Sequence, residues 1–362
     1  MLIIPMSTPI DQICSNLAAR IDVSRDYTVI THDNIYRAGF SDSYLFSSTY
    51  QRGLSIKQEL LEAYLNVSFD DALNGEVIEM PDGRSCYQVT DSVDCRLDRP
   101  DPDLLRTLLW EDLTLIPGIG ARTAASLQRR GYRTINDLIW NRRFREEASR
   151  VQRRIEMTDR NDLLDLVLSR HSRSHRLAFL AGSPLQKSDL LFFDIETLGF
   201  FSRPIILFGL ARLRENQLIT TQFLLKGVRD EQAALMATLK LFSPGTVLIT
   251  FNGRSFDLPY LQERCAYYRL PEPRLPQIDL LHHSRSLWKN QFQDCKLGTL
   301  EAKLCGTVRE DDLPSAMVPE FYAAYQQTGN PGPLVPIVEH NRQDLVTTAH
   351  LYGLIQEIYH DR

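Results

Sequence analysis

Three apolar runs follow one another closely in the second half of this chain: Leu190 to Ile195, Ile205 to Leu213 and Leu218 to Leu225. Each is short, dominated by Leu, Ile and Phe, and separated from the next by only a few residues, which is the pattern of buried strands lying side by side. The pattern then changes. Glu231 to Phe242 reads as a helix, Thr246 to Phe251 as a strand, Asp257 to Tyr268 as a helix and Ile278 to Leu281 as a short strand. Long helical spacings fill Leu297 to Leu304 and Leu334 to Tyr359. Strands in succession, followed by alternating helix and strand, predict an α/β fold: a mixed five-stranded sheet flanked by helices over residues 186–362.

The upstream half reads differently. From Leu104 to about Arg170 the apolar spacing is helical, broken once by Pro117-Gly118-Ile119-Gly120. This predicts a small all-α module over 104–178. Residues 1–103 read as an α+β region of unknown role. Tyr27 to Thr31 is strand-like, Ile56 to Leu65 is a short amphipathic helix, and Glu76 to Val89 is a pair of strands around Pro81-Asp82-Gly83. Asp91 to Asp103 and residues 181–189 read as linkers.

Charge is segregated along the chain. The net charge is −5, yet residues 1–112 hold 9 Lys+Arg against 19 Asp+Glu, whereas 121–176 hold 14 Arg against 7 acids. A basic middle in an acidic chain is either a polyanion contact or a solvated helical surface. The six cysteines form no C-x-x-C pair, so free thiols in a reducing compartment are expected, and no structural zinc. Met1 to Met6 has no basic flank and too short an apolar core for a signal peptide, and no apolar run approaches the length of a membrane span. A cytoplasmic location without membrane contact is therefore expected.

The acids that carry chemistry are few. Asp194 and Glu196 lie two apart near the end of the first strand, hence on one face. They either face water there or repel each other until a divalent cation compensates them. Asp257 opens a helix just after a strand, where it complements the helix dipole or joins the same site. His340 and Asp344 are four apart on a late helix and share a face.

Taken together, Phe193-Asp194-Ile195-Glu196-Thr197, Asn252 through Phe256-Asp257, and His340 through Asp344 resemble the three motifs of the DEDD superfamily of 3′–5′ exonucleases, whose fold is RNase H-like. Gln277 to His282, Leu297 to Glu301 and Asp312-Leu313-Pro314 extend the similarity to a prokaryotic group of RNase H-like predicted exonucleases, over roughly residues 186–360. The resemblance implies metal ligation by Asp194, Glu196, Asp257 and Asp344, with two Mg²⁺ or Mn²⁺ ions about 4 Å apart clamping a scissile phosphate. One departure stands out. Such enzymes place a histidine five residues before the last Asp, or a tyrosine four before it, and here a histidine occupies the tyrosine spacing. His340 either acts as a base, orients water or packs. Asn252, Arg254 and Lys296 are candidate phosphate contacts by position alone. His282 and His283 are weaker candidates as ligands.

The hairpin is the second motif. Leu115-Ile116-Pro117-Gly118-Ile119-Gly120 followed by Ala121-Arg122-Thr123-Ala124, with a capped third helix expected after Thr134, resembles the helix-hairpin-helix DNA-binding motif. That resemblance implies phosphate binding by Pro117, Gly118, Ile119, Gly120, Arg122 and Thr123. A protein-contact hairpin is the alternative. The expected function is a 3′–5′ exonuclease acting on DNA. A structure-selective endonuclease, an RNA exonuclease and a non-catalytic nucleic-acid scaffold are the rival readings.

Overall fold

The computed structural model describes residues 27–32, 35–40, 48–98, 101–156, 160–199, 202–307, 309 and 313–361. Met1 to Met6, Cys14 and Asp312 lie outside them. Strands β1 (Tyr27–His32) and β2 (Ile35–Phe40) pair antiparallel as a separate ribbon. The main sheet contains β3 (Glu76–Glu79), β4 (Ser85–Asp94), β5 (Leu190–Thr197), β6 (Ile205–Arg214), β7 (Gln217–Leu224), β8 (Val247–Thr250) and β9 (Gln277–Asp279). Their spatial order is β3-β4-β7-β6-β5-β8-β9, antiparallel except for β5–β8 and β8–β9.

This sheet has seven strands, not the expected five. The upstream hairpin β3–β4 turns at Gly83, whose φ is +80°, and lies along the free edge of β7 from Tyr87↔Leu224 to Asp94↔Gln217. An unpaired edge presents a row of open backbone groups, and β4 satisfies them. The linker expected over Asp91 to Asp103 is overturned in the same way. Asp91 to Asp94 continue β4 with their acids exposed, while Cys95 and Leu97 are buried.

Alternation along β5 sorts its side chains onto two faces. Leu191, Phe193 and Ile195 enter one core with Phe208, Leu235 and Tyr260. Leu190 and Phe192 enter the other, beneath the C-terminal helix Val335–Asp361. There Phe192 meets Tyr352 edge-on at a ring separation of 6.1 Å.

That second core is shared with the helical module. Leu109, Ile116, Ile119, Leu127 and Leu138 belong to the same buried cluster as Phe179, Tyr352 and Phe192. Phe179 is the hinge of this packing, within 5.1 Å of Tyr352 and 5.4 Å of Tyr359. The segment expected to be a linker at 181–189 is tied down: Gly182 and Ser183 are buried, and Ser183 Oγ donates to Phe179 O at 2.8 Å. The helix expected after Thr134 is a short 3₁₀ segment, Asn136–Trp140, because the Asp137 carboxylate takes the N–H groups of Arg133 and Thr134 and tightens the turn. Ile278 to Leu281 is not all strand. Asp279 accepts the Leu281 N–H and caps a helix, Leu280–Trp288, that the apolar spacing did not reveal. Among the described residues no helix is long and apolar enough to cross a membrane, and Cys86, Cys95, Cys265, Cys295 and Cys305 are free thiols.

One buried ion pair locks the face opposite the C-terminal helix. Glu231 is fully buried at the start of the helix Glu231–Lys240 and accepts from Arg264 Nε (2.7 Å), Arg264 Nη2 (2.5 Å), Tyr268 Oη (2.8 Å) and the Ile205 N–H (2.9 Å). Every oxygen of the carboxylate is used, which is the condition under which a buried pair is tolerated. Glu231→Ala would strand the Arg264 guanidinium and should cost roughly 3–5 kcal/mol of unfolding free energy. Urea denaturation checks this, and a loss under about 1 kcal/mol would mean that water reaches Arg264.

Candidate active site

Asp194 and Glu196 continue the alternation of β5 beyond Phe192, so they project toward the C-terminal helix and not into the opposite core. The helix brings His340, Asn341 and Asp344 to the same end of the strand. Asn341 is fully buried, and its Nδ2 donates to Asp194 Oδ2 at 2.7 Å. Its Oδ1 accepts from Gln222 Nε2 at 2.8 Å. The side chain lies directly on Gly209 of β6, where a Cβ would stand 2.1 Å from Asn341 Oδ1. Only glycine leaves room there.

Asp257 comes from the turn after β8. Its Oδ1 accepts the Ile195 N–H at 3.1 Å, placing it against the strand between Asp194 and Glu196. The turn itself is built by Asp279 of β9, whose carboxylate accepts the N–H groups of Asn252 (2.9 Å) and Arg254 (3.0 Å). Asn252 adopts φ +65°, a left-handed conformation that asparagine tolerates better than most residues.

The four acids named in the sequence thus converge. Burial pushes the Asp194 carboxyl well above the usual range, and the charges of Asp257, Asp344 and Glu196 push it further, against the pull of the Asn341 amide. Asp257 is raised too, first by burial, then by Asp279 and Glu196. The donor set is all oxygen and self-repelling, with Glu196 and Asp257 buried and Asp194 and Asp344 half-buried, which suits a hard divalent cation. As the side chains stand, no three His, Cys, Asp or Glu among the described residues surround a single point as ligands. Asp344 is turned instead onto Arg309, with Oδ1 at 2.6 Å from Nη2.

His340 is nearly buried. Its Nε2 lies 3.2 Å from Ser315 Oγ, 3.7 Å from Asp344 Oδ2 and 3.9 Å from Glu196 Oε1. It therefore sits among the acids, not on the protein surface. His283 does not: it is buried beside Phe179, with Nδ1 3.2 Å from Tyr359 Oη, and burial pulls its pKa down to about 3. It is a neutral core histidine. Lys296 is exposed at the start of the helix Leu297–Leu300.

Ile119, expected at the phosphate interface, has a fully buried side chain and anchors the hairpin instead, whereas Pro117, Gly118, Gly120 and Arg122 are exposed. Arg309 is a site residue that no sequence motif marks, and Asn341 and Glu301 lie within the motif segments without a role assigned from sequence. Glu301 is buried and holds Arg309 Nε (2.5 Å) and Thr347 Oγ1 (2.8 Å). Asn341 sat inside the quoted motif. Its neighbour in space, Gly209, carries no chemistry to mark it.

Residues 191–356 match the family model described as RNase_H superfamily. The mixed sheet flanked by helices is consistent with an RNase H-like fold over this stretch. The chain is also similar to the uncharacterized protein YprB of Bacillus subtilis (strain 168), at 32% identity over 195 residues, covering 52% of this chain and 47% of that one. A second relative is a DNA polymerase III PolC-type from Ureaplasma parvum serovar 3, at 28% identity over 141 residues, covering 32% of this chain and 10% of the polymerase. The chain therefore spans about half the length of the first relative and a tenth of the second.

The electrostatics give a stability test. A carboxyl whose pKa is raised by folding binds its proton more tightly in the folded state, so its ionisation costs stability as pH rises from about 4 through the raised value. In EDTA, Asp194→Asn and Asp257→Asn should each melt higher than the unsubstituted protein at pH 8, with the gap closing near pH 4. Added Mg²⁺ or Mn²⁺ should raise the melting temperature of the unsubstituted protein more than that of either variant. Variants that melt lower at pH 8 would mean the acids are compensated without a cation.

Proposed function

We propose that this protein is a metal-dependent nuclease, a 3′–5′ exonuclease whose substrate is DNA. The observation that carries the proposal is that Asp194, Glu196, Asp257 and Asp344, from a strand, a turn and a helix, are gathered at the charged end of β5 within the stretch that matches the RNase_H superfamily. Asp194, Glu196, Asp257 and Asp344 would hold Mg²⁺ or Mn²⁺, which when bound supplies charge stabilisation at the scissile phosphate and lowers the pKa of an attacking water. Asn341 orients Asp194, and the Ile195 N–H orients Asp257. His340, whose Nε2 lies 3.9 Å from Glu196 and 3.7 Å from Asp344, would accept a proton from water. The similarity to a DNA polymerase favours DNA over RNA.

The hairpin supports a nucleic-acid substrate. Gly118 takes φ +84°, and Gly120 caps the helix Ala121–Arg129 without a side-chain acceptor. The first N–H groups of that helix are therefore left for an outside acceptor, and a backbone phosphate fits them without reading bases.

Degradation of 5′-labelled and 3′-labelled single-stranded and duplex DNA and RNA in Mn²⁺ or Mg²⁺ tests this reading. Asp194→Ala and Asp344→Ala should abolish cleavage with the fold intact by circular dichroism. His340→Ala should fall by about 10²–10⁴-fold, less than loss of a ligand. Cleavage by Asp194→Ala at the unsubstituted rate would sink the site. Internal fragments without stepwise shortening would reassign the activity as endonucleolytic.

The hairpin should act on binding before chemistry. Replacing Gly118 and Gly120 with valine should weaken nucleic-acid affinity and flatten its dependence on salt, since each lost phosphate contact lowers the slope of log affinity against log salt by about 0.7–0.9. Equal slopes in both proteins would make the hairpin a protein contact.

A further inference from the structure

A pocket that the carboxylate cluster does not use lies where the helical module meets the β9 edge of the sheet. It is lined by Leu164, Arg173, Gly182, Arg254, Ile278 and His282, with Asp279 at its side. Two guanidinium groups reach it from different parts of the chain. Arg173 comes from the segment leading into the helix Arg176–Gly182, and Arg254 from the turn built on Asp279. Among the described residues no side-chain hydrogen bond or ion pair engages either guanidinium; the bond from Arg254 to Asp279 uses its backbone N–H. Asp279 is in turn occupied by the N–H groups of Asn252, Arg254 and Leu281. Partial burial, and then the charge of Arg173, disfavour the charged form of Arg254, while the nearby Asp279 carboxylate favours it. Arg173 and Arg254, both exposed to solvent, stand over a floor of Leu164, Ala178, Gly182 and Ile278 with only the Asp279 carboxylate as a charge of opposite sign, and a further anion would relieve their mutual repulsion.

We infer that Arg173, Arg254 and His282 bind a backbone phosphate of the nucleic acid in this pocket, away from the carboxylates. The inference rests on the nuclease reading, which supplies the phosphodiester. Position along the chain favours it over a free metabolite. Arg254 precedes Asp257 by three residues. Arg173 follows Arg170 by three, and the Arg170 guanidinium donates to Thr114 O (2.9 Å) and Ile119 O (3.2 Å), holding the hairpin. The pocket is therefore joined by short stretches of chain to both other nucleic-acid features. A planar guanidinium pair matches phosphate oxygens, and the contact carries no base information.

The test is binding of a fluorescein-labelled single strand of about 15 nucleotides, DNA and RNA of one sequence in parallel, in EDTA at several salt concentrations. Arg173→Ala and Arg254→Ala should each weaken the tighter of the two probes several-fold and lower its salt slope by about 0.7. Arg254→Lys should recover most of the slope, because it keeps the charge. Arg173→Glu, at an exposed position, keeps the test open if Arg254→Ala fails to fold, and should bind more weakly than Arg173→Ala. Cleavage in Mn²⁺ is measured on the same proteins. If the unsubstituted protein cuts and these variants keep its affinity and slope, the pocket is overturned and the nuclease stands. If the unsubstituted protein neither binds nor cuts either probe, the nuclease reading falls and the pocket with it. Binding without cutting leaves the slopes to decide the pocket alone.

Discussion

A single buried amide organises the centre of the molecule. Asn341 of the C-terminal helix takes a hydrogen from Gln222 on β7, gives one to Asp194 on β5 and rests on Gly209 of β6. Three adjacent strands and the helix that covers them are registered by one side chain. Burying an amide without partners is costly, and both ends of Asn341 are satisfied, so this arrangement excludes its neighbours by about the price of a stranded polar group. Once Asn341 is seated, His340 and Asp344 can only arrive at the charged end of β5.

The same burial creates a conflict. Asp194 and Asp257 are held where neither solvent nor a counter-charge fully stabilises them, unlike Glu231, whose partners occupy both of its oxygens. Of these three acids, Glu231 is compensated within the fold, whereas Asp194 and Asp257 repel one another. Uncompensated charge kept together on a rigid strand and helix is the mark of a site whose partner comes from outside. Arg309 softens the cluster by pairing with Asp344 and Glu301.

Packing makes the two halves of the chain one unit. Phe179 carries the core of the helical module onto Tyr352 and Tyr359, and the hairpin β3–β4 closes the opposite edge of the sheet. The helical module is therefore fixed over one end of the sheet, and Arg173 and Arg254 face a common pocket because of it.

The sequence by itself determined the strands β5 to β9 and the helices between them to within a few residues, because apolar periodicity reports which face of an element is buried. The same reading singled out Asp194, Glu196, Asp257, His340 and Asp344 one by one, as acids interrupting an apolar strand, opening a helix or sharing a helix face, and only the resemblance to exonuclease motifs joined them into one candidate site. Tertiary structure alone decided the remainder. That β3 and β4 join the sheet depends on an edge of β7 lying more than a hundred residues away. That Ile119 packs and His283 is neutral depends on which surfaces cover them. The roles of Gly209, Asn341 and Asp279 arise from contacts across the sheet, and a glycine under an asparagine leaves no trace in spacing or composition. Periodicity describes one element at a time, whereas a site is made where several elements meet.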